Sequence, residues 1–131
     1  MKFSDLPPLN THLPEHAGIF AGIAGGKDSQ PYAALILLDA MPPKKLNWAD
    51  ACAWGESLGD GAHVPTRNES ALLYATVRDQ INQDSYHWTS TPYDPPYSDS
   101  VAWIQGFGDG DQYNYIQSTE RLCRAVRRVS L

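Results

Sequence analysis

The sequence is poor in cysteine: Cys52 and Cys123 are its only two, and they lie too far apart for a Cys-x-x-Cys redox pair or a zinc knuckle. That spacing argues against a disulfide-stapled scaffold and reads both as buried thiols. Long apolar runs are missing too. The longest candidate, residues 33–38, has the length of a strand and falls far short of the ~20 residues that cross a bilayer, so membrane insertion is not expected. The first ten residues hold one Lys, a Pro pair and no apolar core, which is not the make-up of a secretory signal peptide. The chain is expected to be made in the cytoplasm and to stay there unless it leaves within a larger assembly. Basic charge is also scarce: ten Lys and Arg face fifteen Asp and Glu, for a net charge of -5, so no nucleic-acid partner is expected.

What is present describes one domain. A chain of 131 residues has room for a single core and buries roughly two thirds of its unfolded surface, without needing a metal or a disulfide. Residues 1–17, broken by Pro7, Pro8 and Pro14, read as an extended, mobile arm, and residues 18–131 as the domain itself. Residues 19–24 and 32–39 are β-leaning runs separated by a Gly-rich loop, expected to pair antiparallel. Asn47 is placed to cap a helix running from Trp48 to about Leu58, with Trp48, Ala51, Cys52 and Leu58 on one face. Thr66 and Glu69 have the spacing of a capping box. They open a second helix whose inward stripe is Leu72, Leu73, Thr76, Val77 and Gln80, ending near Asn82.

From residue 86 to residue 115 the chain changes character. Eight of its fourteen Phe, Trp and Tyr residues fall there, interleaved with Pro, Gly, Ser and Asp, which is the composition of short strands and loops. Strands are expected at 88–91, 101–106, 112–116 and 123–129, with a turn over 107–111. The order β-β-α-α followed by short strands defines an α+β domain, two helices flanking a small antiparallel sheet with long irregular C-terminal loops.

Several short motifs occur in a recognisable order: Trp48-Ala49-Asp50-Ala51, Val64-Pro65-Thr66-Arg67-Asn68-Glu69, Tyr86-His87-Trp88-Thr89-Ser90, Ala102-Trp103, Phe107 with Gly108 and Gly110, and Arg124-Ala125-Val126-Arg127. Together they resemble the Lcl C-terminal domain family, a bacterial and phage domain with a C-type lectin-like fold, over roughly residues 18–129. The ending Arg-Ala-Val-Arg-Arg is similar to short single-domain phage and prophage versions, which implies a phage origin and leaves virion association open. The formylglycine-generating branch of the fold uses closely spaced cysteines that this chain lacks. The Glu-Pro-Asn, Gln-Pro-Asp and Trp-Asn-Asp motifs of calcium-dependent sugar binders are also missing. A bridge between Cys52 and Cys123 would echo the lectin-like disulfide in topology, but Cys52 is not placed as it is in true lectins.

In phage tropism determinants of this fold, exposed residues near the C-terminus form a tolerant binding face. The resemblance maps that face onto Tyr93, Asp94, Tyr97, Asp99, Asp109, Asp111, Gln112, Tyr113, Asn114 and Tyr115, the Tyr, Asn and Asp vocabulary of adaptable paratopes. It implies a non-enzymatic module that binds a protein or glycan. The alternative is an intracellular phage accessory protein that inhibits or redirects a host or defence protein, its acidic surface steering it toward a basic partner. Nothing in the helices specifies an oligomer.

Blander readings compete at several positions. Trp48, Trp88 and Trp103 read as core, whereas Trp54 falls off the helix stripe and its place is open. Asp109, Asp111 and Asn114 offer oxygens to calcium, but the stretch lacks the terminal Glu of an EF-hand and already makes a good β-turn, so no metal or cofactor is assigned. Arg121, Arg124, Arg127 and Arg128 read as ties to backbone carbonyls and carboxylates, Glu69 among them. His12, His16, His63 and His87 are scattered, and Ser90 and the thiols have no recognisable base partner. No catalytic set is visible, and no enzyme is expected.

Overall fold

Ala33–Leu38, six apolar residues in a row, form a strand buried along its whole length, and much of the molecule is arranged around it. The computed structural model describes residues 1–26, 31–93 and 100–131. In chain order the strands and helices are β1 (His12–Leu13), β2 (Gly18–Ala24), β3 (Ala33–Leu38), α1 (Trp48–Ser57), α2 (Arg67–Val77), β4 (Tyr86–Pro92), β5 (Val101–Gly106), β6 (Gln112–Ile116) and β7 (Val126–Ser130). They make an α+β fold with two antiparallel sheets, ordered β1-β2-β3-β7 and β4-β5-β6, where one small sheet was expected. The division arises because the last strand returns to the first sheet as its edge strand beside β3, pairing Ala33 with Ser130 and Leu37 with Val126. The expected strand at 123–129 therefore starts three residues later. Residues 121 and 122 instead make isolated bridges to Leu46, in the loop before α1, and to His87 of β4.

Both faces of β3 are covered, which explains its unbroken apolar run. On one side Leu35 and Leu37 pack with Leu73, Val77, Ile81 and Phe107 under α2. On the other, Ala34, Ile36 and Leu38 meet Phe20, Ala62 and Ala125, with Leu13 and Leu58 at the margin. A third cluster of Ala51, Val64, Trp88, Ala102, Ile104 and Cys123 joins α1 to the second sheet. Trp54, left open by the sequence, packs at the edge of the second and third clusters.

Local chemistry sets the helix starts. The Asn47 side chain accepts the Asp50 amide, and Thr66 and Glu69 form the reciprocal capping box. On α2, Leu73 and Val77 are buried, but Gln80 is exposed: the chain tightens into a 3-10 turn over Arg78–Gln80, which puts Ile81 inward in its place. The N-terminal arm is tied down rather than free. His12 and Leu13 pair with β2, the terminal amine donates to the Ser130 carbonyl, and the Asn10 amide donates to Asp79.

Candidate functional site

Strand β6 is the edge of the second sheet, and four of its five residues are exposed. Because side chains alternate along a strand, Tyr113 and Tyr115 share one face and Gln112, Asn114 and Ile116 the other. Tyr113, Tyr115 and Ile116 leave 51%, 46% and 56% of their surface in solvent, large apolar exposures concentrated on one short strand. The phenols are held in place. Tyr113 donates to Asp111 at 3.1 Å, its ring lies 5.7 Å from that of Tyr86, and Tyr86 donates to Asp109 at 2.8 Å. The Arg121 guanidinium stacks over Tyr115 at 4.4 Å.

The Asp109 hydrogen bond raises the Tyr86 phenol to about 12. Asp109 itself is lowered, first by the Asp111 amide that it accepts and then by Tyr86. These carboxylates thus serve the turn and the aromatic face. Among the described residues no group of three or more His, Cys, Asp and Glu is gathered as a metal site would need.

The sequence-derived face is brought together only in part. Asp109, Asp111, Tyr113 and Tyr115 form one patch. Gln112 is half-buried and turns the other way, where it accepts the Arg67 Nε hydrogen bond at 2.9 Å and donates to the Arg67 carbonyl and to Gln105. Asn114 is exposed on that same side, opposite Trp103 across the strand pair. Tyr93 lies with Trp103, ring centroids 5.3 Å apart. Asp94, Tyr97 and Asp99 lie outside the described residues.

On the side of Gln112 lies a feature the sequence reading missed, a cavity of about 580 Å³ between the end of β2, the first turn of α2, the end of β4 and Trp103. Ile23 reaches it because β2 bulges between Phe20 and Ile23 at Gly22, whose φ of +113° suits a residue without a Cβ. Trp103, expected in the core, is half-buried and lines this cavity, whereas Trp88 is buried and donates to the Leu46 carbonyl. The Arg67 guanidinium lies 3.5 Å over the Trp103 ring. A cation in the first turn opposes the helix dipole, and that local inconsistency was the legible sign that Arg67 has a tertiary role.

Behind the cavity, buried Glu69 accepts His63 Nε2 at 2.8 Å, Arg128 at 3.2 Å and the Thr66 amide at 2.9 Å. Burial by itself would lower His63 and raise Glu69. The hydrogen bond and charge between the two outweigh it, so His63 is raised and Glu69 lowered. Scattered spacing gave no hint of this pair, which forms because the segment before α2 folds back over the helix's first turn. Arg128 also donates to the carbonyls of Gly25 and Pro31, Arg124 to those of Gln80 and Leu38, and Arg127 to those of Asp60 and Gly59. Three of the four final arginines tie segments together as the sequence implied, while Arg121 stacks on aromatic rings.

No family model matches the chain, and no curated protein matches it. Among solved structures it is similar to the crystal structure of botrocetin, with a TM-score of 0.52 and 7% sequence identity over 82% of this chain and 96% of that one. At that identity the likeness is one of fold alone. Botrocetin is C-type lectin-like, and the α+β arrangement described above is similar to it.

Proposed function

We propose that the chain is a non-enzymatic binding module, phage- or prophage-encoded, that recognises a protein partner through the face of Tyr86, Tyr113, Tyr115, Asp109 and Asp111. The observation that carries this reading is an edge strand whose large side chains are exposed yet already held, Tyr113 by Asp111 and Tyr115 by the Arg121 guanidinium, with Tyr86 beside them held by Asp109. Aromatic side chains fixed before binding lose little entropy on contact, which is what an interface anchor needs. The adjacent carboxylates and the net charge of -5 favour a partner with a basic surface. That acidic character also supports the second reading, an intracellular accessory protein that redirects a host or defence protein. The phage origin rests on the sequence resemblance, and a glycan ligand is the competing outcome.

The purified chain, used as bait in host extracts separated into envelope and cytosol, tests this beside a Tyr113→Ala, Tyr115→Ala variant. Each tyrosine is expected to supply about 2 kcal/mol if it is an anchor, so the double change should abolish capture. An envelope protein lost with the variant supports receptor recognition, and a cytosolic protein lost with it supports the second reading. Capture that survives both changes rejects this face, and loss of a glycan signal alone rejects the protein partner.

A further inference from the structure

We propose that the cavity between Ile23, Arg67 and Trp103 binds a small monocarboxylate carried on a ring. This site is distinct from the Tyr113 and Tyr115 face and rests on different residues. The charged groups among its described lining are Arg67, Arg128 and Glu69. Glu69 and Arg128 neutralise one another, and Arg128 is further occupied by the Gly25 and Pro31 carbonyls. Arg67 is different. Its Nε is fixed by Gln112 and its face by Trp103, and among the described residues its Nη groups have no hydrogen-bond partner. A guanidinium held by its Nε and one face presents its remaining edge to a planar acceptor, which a carboxylate matches with two parallel hydrogen bonds.

Of the first-turn amides of α2, the Arg67 N–H is taken by Thr91 and the Glu69 N–H by Thr66, so the side chain of Arg67 is the principal anion donor. The rest of the wall fixes the ligand's body. Ile23, Leu72, Pro92 and the rim of Trp103 provide apolar surface, while Thr91 and Asn68 add polar groups at the margin. The volume lies within the roughly 300–1,000 Å³ of pockets that hold small molecules. Among the described lining Arg67 is the cation without a carboxylate partner, so the site suits a monoanion rather than a phosphate dianion. The bulge at Gly22 turns Ile23 out into the cavity, leaving it 38% exposed where the alternation of a regular strand would bury or bare it without regard to this space.

The test is a nuclear magnetic resonance titration of the whole, ¹⁵N-labelled chain with benzoate, beside its neutral isostere benzamide and inorganic phosphate. Benzoate is expected to shift the Trp103 indole N–H and the backbone amides of Arg67, Asn68 and Thr91 in a saturable way, and benzamide and phosphate to leave them in place. Arg67→Gln should weaken benzoate about tenfold or more. Arg67→Lys should not restore it, because the planar edge is lost, and Lys44→Gln, remote from the cavity, should bind as the parent does. Thermal melts by circular dichroism establish that each variant is folded, and if Arg67→Gln is not, Arg67→Lys carries the comparison. Equal binding of benzamide, tighter binding of phosphate, shifts confined to other regions, undiminished binding by Arg67→Lys, or no saturable shift with benzoate would each overturn the proposal.

Discussion

Changing Glu69 to Gln keeps the shape of the side chain and an oxygen for the Thr66 amide, but removes the charge that His63 and Arg128 share. Removing one partner of a buried ion pair costs about 3–5 kcal/mol. Arg128 keeps two carbonyl acceptors and its side chain is 19% exposed, so the lower end, about 3 kcal/mol, is expected. For a domain of this size that is a fall in melting temperature of roughly 10 °C. The pH dependence is more specific. The raised His63 contributes stability that is complete below its ordinary value of 6.5 and fades as pH rises through the folded value. The lowered Glu69 contributes stability present above its ordinary 4.5 and lost as pH falls through its own folded value.

The pair therefore helps most between those two ordinary values. Without the Glu69 charge, burial and Arg128 both act to lower His63, so its titration should move from above 6.5 to below it. The stability gap between parent and variant should be wider at about pH 5.5 than at about pH 8. Ring-proton titration of His63 and urea unfolding at the two pH values measure both effects. A His63 that stays raised in the variant, or a gap that does not change with pH, would refute the electrostatic account of this contact.

Other elements make independent predictions. Burial lowers His87 to about 4, so it must stay neutral in the fold; acidifying from about pH 7 to about pH 5 should cost up to about 2 kcal/mol, and His87→Gln should remove that slope in urea unfolding. Gly55 faces the Val64 backbone, where an added Cβ would lie 2.8 Å from the amide nitrogen. Gly55→Ala should therefore lower the unfolding free energy from urea denaturation by more than about 1 kcal/mol in spite of alanine's better helix propensity, and a stabilised variant would contradict this packing. Burial pushes Cys52 to about 11 and Cys123 to about 12, so thiol reagents should label both slowly in the native chain and quickly once it is unfolded.

The helix starts were legible because caps are chemistry between neighbours three residues apart, as Asn47 with Asp50 and Thr66 with Glu69 show. β3 was legible from its unbroken apolar run, and the turn before β6 from its glycines and aspartates. The rest depends on distant pairing. Nothing local tells Val126–Ser130 to lie beside Ala33–Leu37, so the two-sheet division and the late start of β7 could not be read. The resemblance put Gln112, Tyr113, Asn114 and Tyr115 on one face, whereas alternation along β6 parts them and turns Gln112 inward to hold Arg67. The contact of His63 with Glu69 joins residues six apart across a bend, a spacing with no helical or strand signature. Trp103 read as core because it sits in the Ala102-Trp103 motif of the resemblance, and only the bulge in β2 and the cation over its ring show that it borders a cavity.

The most direct test of the binding face is site-specific photocrosslinking. A benzophenone side chain is placed at Tyr113 or at Tyr115, and, as a reference of comparable exposure away from β6, at Tyr32. In the organism that carries the gene, Tyr113 and Tyr115 are predicted to crosslink one and the same protein while Tyr32 does not. Crosslinks to that protein from Tyr32 alone, or no crosslink from either β6 position, would contradict the account.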